Sequence, residues 1–115
     1  MIFVQVILGG NAVLLGLSIG YHIVWGLLTF IVLLVTAGLA VRTYGRKSTL
    51  FKAAIAAVVD FIIQILLGFS AFDSNVLVVV HLTNAFVLAV LVTYLISFAD
   101  SAEKVAAQSM STAVR

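Results

Sequence analysis

Two histidines are the side chains in this sequence most able to do chemistry. His22 and His81 are the only histidines, and each lies in a strongly apolar segment. An ionisable side chain inside such a segment is costly to bury, and its presence there is by itself a hypothesis of function. Each histidine follows a glutamine at a distance of 17 residues, Gln5 in one case and Gln64 in the other. The shared spacing indicates that the two histidines belong to equivalent sites.

A shift of 59 positions aligns the two halves of the chain without a gap. The pattern Q-x-x-L-G followed by a histidine occurs in both halves. Chance matching of apolar residues would not readily superpose both histidines and two of the three glutamines. The sequence therefore predicts an internal repeat. Its identical pairs include Gln5/Gln64, Leu8/Leu67, Gly9/Gly68, Ala12/Ala71 and His22/His81.

The glutamine and glycine of each repeat are four residues apart, so they share one face of a helix. A glycine at Gly9 or Gly68 makes room for another helix or for the edge of a flat ligand, and ordinary packing through small residues explains it equally well. A glutamine is costly in a span, so its amide is expected to donate a hydrogen bond inside the protein. Four aromatic residues near the same end either flank a ligand or form an interfacial belt: Tyr21, Trp25, Phe69 and Phe72.

The donor set favours haem over zinc. Zinc takes about four ligands, and no Cys, Glu or further His lies near the two histidines. Two imidazoles suit one low-spin haem iron as axial ligands, with the macrocycle in the core of a helix bundle. We therefore expect His22 and His81 to bind haem b. Gln5, Gly9, Gln64 and Gly68 are expected to contact the cofactor. The alternative is a pair of hairpin-end histidines that reach interfacial water.

The composition identifies the solvent that surrounds these residues. Of 115 residues, 64% are hydrophobic and 9% are charged, with a mean hydropathy of +1.33, whereas soluble domains carry about 25% charged residues. We expect an all-α integral membrane protein, because a span must satisfy its own backbone hydrogen bonds. Breaks near Gly16 and Asp73 divide the apolar sequence into four expected spans: Ile2–Leu17, Ile19–Val41, Phe51–Phe72 and Val76–Ala99.

The repeat predicts how these spans pack. Each half, about 1–41 and 51–99, forms a helical hairpin, and the loop between them returns the chain to its starting side. The hairpins are then related by a pseudo-twofold axis along the membrane normal. Residues 1–99 are expected to form a four-helix up-down bundle, and 100–115 a polar tail. The second and fourth helices lie diagonally across this bundle, so their histidines would face each other.

Positive charges set the orientation in the membrane. The loop between the halves carries four of them: Arg42, Arg46, Lys47 and Lys52. By the positive-inside rule this loop and both termini are cytoplasmic in a multi-pass plasma-membrane protein. The net charge of +2 then reflects topology, and no nucleic-acid partner is expected. No cationic segment precedes the first apolar run, so a cleaved signal peptide is not expected. The absence of cysteine excludes disulfides, iron–sulfur clusters and thiolate zinc sites.

Asp60 has no counterpart in the first half. It lies about two turns into the third expected helix, which places it in the cytoplasmic half of the membrane. From the helical rise it is expected about 20 Å from the histidines. Three roles are open: snorkelling to the interface, pairing with Lys52, and proton movement.

The repeated segments resemble the haem A synthase family. The resemblance is carried by the string from Gln5 to Leu14 followed by His22, and by Gln64–Gly68 followed by Val80-His81-Leu82. It covers about residues 3–98. That family includes eight-span members built from two four-helix halves, with paired histidines on the second and fourth helix of each half. This chain would correspond to one compact half.

One departure from the family weakens the prediction of enzyme activity. The catalytic half of those enzymes has an acidic residue about one turn before its first histidine, where this chain has Ser18 and Ile19, or Leu77 and Val78 before His81. The resemblance then implies a haem-carrying electron-transfer or accessory subunit of an aerobic respiratory oxidase complex. Expected partners are the lipid bilayer and other membrane subunits or a second copy, with quinone as an open possibility. A cofactor-free structural subunit is the alternative, and a compact haem A synthase is a weaker one. A small multidrug-type transporter is disfavoured, because the first helix contains no acid.

Overall fold

The described part of the chain is helical throughout. A computed structural model describes residues 2–16, 18–71 and 74–113. Within these residues there is no strand, and four α-helices follow one another in the order α1 (Ile2–Leu15), α2 (Ile19–Tyr44), α3 (Thr49–Ser70) and α4 (Asn75–Ala113). The all-helical prediction is confirmed.

Three of the helices are long and apolar enough to cross a membrane. These are α2, α3 and the first 28 residues of α4. Helix α1 has 14 residues and is about 21 Å long at 1.5 Å per residue. A span needs about 20 residues to cross a hydrocarbon core about 30 Å thick. The described residues thus provide three helices of spanning length where the sequence predicted four spans.

The first break in the apolar sequence is a tight turn. Gly16 has a φ of 64°, a left-handed conformation that costs a glycine little. The Ser18 hydroxyl then accepts a hydrogen bond from the backbone N–H of Gly20 at 3.3 Å and caps α2. The predicted end of the first span at Leu17 lies outside the described residues. So do Phe72 and Asp73, on which the second break was predicted, and α4 begins just after them at Asn75.

The loop between the halves is short and capped at both ends. Gly45, with a φ of 79°, ends α2 and donates its backbone N–H to the carbonyl of Val41 at 3.0 Å. Ser48 starts α3: its hydroxyl accepts from the N–H of Phe51 at 3.1 Å and donates to the carbonyl of Gly45 at 2.9 Å. The loop of four residues, 45–48, thus brings α2 and α3 side by side.

Each helix packs on two others. Helix α1 packs on α2 and α4, and α3 also packs on α2 and α4. The backbones of α2 and α4 do not approach each other within 8 Å in the described residues, so these two helices meet through side chains. Small residues in the core allow the close approach of neighbouring helices. Phe30 of α2 stacks on Phe61 of α3, with ring centroids 5.6 Å apart. The buried apolar core consists of Ile2, Leu33, Ala37, Ala40, Leu50, Ala54, Ala57, Val58, Phe61, Leu88 and Leu95.

Helix α4 is much longer than the others. It has 39 residues and continues without interruption through most of the segment predicted as a polar tail. The molecule is 62 Å long and 24 by 20 Å across. Since this length is about twice that of a hydrocarbon core, the end of α4 extends beyond the bundle. The outer surfaces of the helices are largely apolar, as in Val24, Val35, Leu66 and Val90. Such a surface is suited to contact with lipid.

Candidate functional site

The structure brings the two histidines together. His22 lies in the first turn of α2 and His81 in the second turn of α4. Their ring centroids are 6.1 Å apart, and the ring planes meet at 74°. Both imidazoles are half-buried. The two ionisable groups of the repeat therefore form a single site between the hairpins.

In the first hairpin, α1 holds the histidine of α2. The side-chain amide of Gln5 donates a hydrogen bond to the backbone carbonyl of His22 at 2.9 Å. The ring Nδ1 of His22 lies 3.1 Å from the backbone carbonyl of Gln5. The amide nitrogen of Gln5 also lies 3.4 Å from the ring Nε2. One glutamine thus engages the backbone and both ring nitrogens of the histidine 17 residues later.

The second hairpin repeats this arrangement. The amide of Gln64 donates to the carbonyl of His81 at 2.9 Å. Nδ1 of His81 lies 3.1 Å from the carbonyl of Gln64, and the amide nitrogen lies 3.4 Å from Nε2. The three distances equal those in the first hairpin. The sequence repeat is therefore also a structural repeat.

The glycines make room for the imidazoles. A Cβ atom built on Gly9 would lie 2.8 Å from Cε1 and 2.9 Å from Nδ1 of His22. On Gly68 it would lie 3.1 Å from Cε1 of His81. In each hairpin the imidazole thus occupies the space where a side chain on the glycine would lie. The glutamine carbonyl that the imidazole approaches lies one helical turn before that glycine. The group that comes close is the histidine of the same hairpin, which explains why glycine follows glutamine by four residues.

The contact to a carbonyl gives the two ring nitrogens different roles. A proton on Nδ1 is donated to the glutamine carbonyl, and Nε2 then keeps its lone pair as an acceptor. Metal-binding histidines are commonly fixed in this way, by an Nδ1–H bond to a carbonyl that leaves Nε2 as the ligand. Both hairpins therefore present an oriented imidazole with one nitrogen suited to coordination.

A single cavity joins the two halves of the site. Its volume is about 380 Å³, and its lining is almost entirely apolar. All six of the residues predicted to bind a cofactor line it: Gln5, Gly9, His22, Gln64, Gly68 and His81. Further lining residues also form pairs 59 positions apart, namely Ile2/Phe61, Val6/Ile65, Ile19/Val78, Ile23/Leu82 and Gly26/Ala85. The cavity thus follows the pseudo-twofold symmetry of the sequence.

The aromatic residues are only partly drawn into this site. Phe69 lines the cavity. Tyr21 is exposed, with 71% of its surface accessible, and Trp25 is half-buried. Neither residue is among the cavity-lining residues of the described chain. Phe72 lies outside the described residues. Of the four predicted flanking aromatics, one therefore lies at the cavity.

Asp60 lies closer to the site than its position in the sequence suggested. The amide of Asn84 donates to Oε1 of Gln64 at 3.0 Å, and its side chain also interacts with the Asp60 carboxyl. The expected separation of about 20 Å between Asp60 and the histidines is wrong, because it came from the helical rise alone and took no account of how α3 packs on α4. Asp60 is one turn from Gln64, about 6 Å along α3. Three contacts, with Asn84 and Gln64 as the intermediate residues, connect it to His81.

Asn84 was missed in the sequence because the first half has no asparagine at the matching position. The available signal was an amide in a strongly apolar helix, three residues after a histidine. In the first hairpin, Oε1 of Gln5 is buried and has no hydrogen-bond partner among the described residues. The polar surroundings of the two glutamines therefore differ.

Within the described residues, no group of three or more His, Cys, Asp or Glu could hold a metal ion. The protein donors at the site are the two imidazoles. Comparison with family models, curated proteins and solved structures adds no relative. None matches this chain significantly. Inference about its function therefore rests on the residues and the geometry of the site.

Proposed function

We propose that the chain is a membrane cytochrome that holds one haem b between His22 and His81. The observation that carries this proposal is the meeting of two oriented imidazoles, 6.1 Å apart, at one apolar cavity. A cavity of about 380 Å³ lies within the usual range of small-molecule sites, about 300–1,000 Å³. The two sides of the cavity are equivalent by the repeat, which suits a symmetric axial ligand pair.

The spacing of the rings fits one metal ion between them. The ring centroids lie 6.1 Å apart and a metal–imidazole bond is about 2 Å long, so a nitrogen of each ring would be able to hold the same ion. Gln5 and Gln64 fix the ligand backbones by their bonds of 2.9 Å. Gly9 and Gly68 let each ring reach the carbonyl that orients it.

The apolar lining suits the porphyrin face and excludes water. When bound, haem supplies a one-electron couple. No cation is among the cavity-lining residues of the described chain, so the two propionates of a bound haem would have no charged partner among these residues. The chain's own residues therefore bind and orient the cofactor, and its carboxylates are left to water or to a partner.

The topology and cellular context are parts of the same proposal. The four helices form an up-down bundle in the plasma membrane, and the Arg42–Lys52 loop and both termini face the cytoplasm. The loop carries the excess of positive charge that this orientation requires. The chain serves as an electron-transfer or accessory subunit of an aerobic respiratory oxidase complex. It associates within the bilayer with other membrane subunits or a second copy, and quinone is its candidate small-molecule partner.

A cofactor-free structural subunit is the second candidate, and one observation favours it. Each imidazole already has partners from its own hairpin, including a carbonyl at 3.1 Å. In this interpretation, the repeated glutamine–histidine contacts only stabilise each of the two hairpins. A compact haem A synthase remains the weaker alternative, because Ser18 and Ile19 stand where the family's catalytic half has an acid.

An optical spectrum separates the candidates. The chain is expressed with added haem precursor and purified in detergent. The expected result is a reducible Soret band with the reduced α-band of a low-spin six-coordinate haem b. His22→Ala and His81→Ala should each give a five-coordinate or haem-free protein, and the double variant should bind no haem. Gln108→Ala in the last turns of α4 is the matched polar control and should keep the spectrum.

Folding is checked by helical circular dichroism and monodisperse elution. A folded wild-type chain that takes up no haem would favour the structural subunit. Full six-coordinate binding by either folded single variant would overturn the ligand assignment.

A further inference from the structure

The two halves of the site differ in one respect, the environment of the glutamine amide. Gln64 is buried, with 8% of its surface accessible, and its Oε1 accepts a hydrogen bond from Asn84 at 3.0 Å. The corresponding Oε1 of Gln5 is buried without a partner among the described residues. A buried amide oxygen without a partner destabilises the folded state. The symmetry of the sequence repeat is thus broken at this atom.

The difference arises from two residues that the second half alone possesses. Asn84 stands where the first half has Trp25, and Asp60 stands where it has Met1. Trp25 has interactions of its own, but an indole N–H can only donate and cannot relay a hydrogen bond as an amide does. In the second half, by contrast, Asn84 contacts both Gln64 and Asp60. A continuous polar chain therefore runs from α3 to α4, back to α3, and on to His81.

The chain has a direction that follows from donors and acceptors. Asn84 donates its amide to Gln64, which fixes Gln64 with its oxygen toward Asn84 and its nitrogen toward His81. That nitrogen donates to the His81 carbonyl. In the first hairpin the nitrogen of Gln5 is likewise held by the His22 carbonyl, but its oxygen has no partner among the described residues. Asn84 thus fixes both the oxygen and the nitrogen of the amide on one side of the site only.

The carboxyl of Asp60 gives the chain a second property. Its Oδ2 is buried and has no hydrogen-bond partner among the described residues, and it lies in the apolar part of the bundle. A carboxyl in a medium of low dielectric acts over longer distances than one in water. Its interaction with Asn84 places it at the start of the chain, and members of a hydrogen-bonded chain polarise one another.

We propose that Asp60 and Asn84 are positioning residues for His81, acting through Gln64, and that they make the two imidazoles of the site inequivalent. His81 is the fixed member of the pair, and His22 is the adaptable one. The inference goes beyond haem binding and does not require it, because the contacts that carry it lie within the protein.

The first test compares the two imidazoles directly. The chain is labelled with ¹⁵N-histidine, reconstituted in lipid nanodiscs without haem, and studied by NMR. The chain's two histidines should give two sets of ring signals, assigned with His22→Gln. Asn84→Leu, which leaves Gln64 without its partner, should shift the His81 signals toward those of His22 and leave the His22 signals in place. Trp25→Phe, at the matching position of the first half, should leave the His81 signals unchanged.

A second variant tests the carboxyl and keeps the proposal falsifiable if Asn84→Leu does not fold. Asp60→Asn has nearly the same shape and should shift the His81 signals but not those of His22, and Asp60→Glu should restore them in part. If both folded variants leave His81 unchanged, or if both histidines shift alike, the proposal is wrong.

The haem-loaded protein supplies an independent readout. Asp60→Asn should retain haem in full and shift its midpoint potential, because the substitution alters the contacts that position His81. An unchanged potential in a fully loaded variant would contradict the proposed role of the carboxyl. Failure of the wild-type chain to bind haem would instead count against the proposed function, and the NMR comparison would still decide this inference.

Discussion

At the scale of residues, the site is explained by the pattern of a glutamine, a glycine four residues later and a histidine seventeen residues after the glutamine. The glycine exposes one turn of backbone, and the imidazole packs onto it and approaches the glutamine carbonyl at 3.1 Å. The glutamine amide returns the contact by donating to the histidine backbone at 2.9 Å. These reciprocal bonds within each hairpin are local, and the meeting of the two imidazoles at 6.1 Å joins one hairpin to the other.

The glycine contacts give a sharp prediction with a neighbouring control. Gly9→Ala places a Cβ atom 2.8 Å from Cε1 of His22, so the ring must move. We expect a loss of about 1–3 kcal/mol in the free energy of unfolding, as for other overpacked sites. A Cβ atom on Gly10 meets nothing within 4 Å. Gly10→Ala should therefore be neutral or stabilise α1 by up to about 1 kcal/mol.

Gly68→Ala should cost less than Gly9→Ala, because its closest contact is 3.1 Å. The measurement is unfolding by SDS titration from mixed micelles, followed by circular dichroism. Equal stability of the Gly9→Ala and Gly10→Ala variants would show that the imidazole does not occupy the space beside Gly9.

At the scale of elements, capping and turn residues set the boundaries between α2 and α3. Helices α2 and α3 are joined by a short loop with Gly45 at one end and Ser48 at the other. Helix α1 is shorter than a span, because its 14 residues are about six fewer than a span requires. Since it supplies Gln5 and Gly9, its depth in the membrane decides where the first half of the site lies.

The orientation of these elements can be tested by cysteine labelling, because the chain has no cysteine of its own. Lys47→Cys lies in the exposed loop between α2 and α3, and Ser74→Cys lies just before α4. In intact cells, an impermeant maleimide should label the second variant and leave the first unlabelled. Lys47→Cys should react only after permeabilisation. Labelling of Lys47→Cys from outside would reverse the proposed topology.

At the scale of the whole molecule, the bundle and the end of α4 differ in how they are held. Core residues of α4 reach Leu95, with Ala99 packed at the edge of the core. Beyond these residues, Val105 and Met110 are largely exposed, at 66% and 69%. The end of α4 therefore contributes little to the packing that forms the cavity.

Removal of residues 103–115 tests this division. The truncated chain should keep the cavity, the haem spectrum and a midpoint of SDS unfolding within error of the full chain. A matched deletion that ends the chain at residue 94 removes Leu95, which is 5% exposed, and should destabilise the bundle by about 2 kcal/mol or more. Loss of the haem site on removal of 103–115 alone would show that the end of α4 supports the bundle.

The sequence by itself predicted the helical class, helices apolar enough to span a membrane, and the residues that meet at one cavity. Scarce charge and long apolar runs favour a lipid environment, and a span in lipid must satisfy its backbone hydrogen bonds within a helix. The shift of 59 positions paired Gln5 with Gln64, Gly9 with Gly68 and His22 with His81. All six residues line one cavity. The local spacing was sufficient, because residues of one hairpin meet through a short turn.

The tertiary structure decided what depends on packing between hairpins. Asp60 was placed far from the histidines when distance was counted along one helix. It reaches His81 through Asn84 of α4 and Gln64 of α3, a route that exists only because these helices pack together. The sequence also did not predict that Oε1 of Gln5 lacks a hydrogen-bond partner among the described residues, since a repeat predicts equivalent surroundings for Gln5 and Gln64. A repeated sequence specifies equivalent positions, but each polar atom is satisfied by neighbours from other helices, and these neighbours need not repeat.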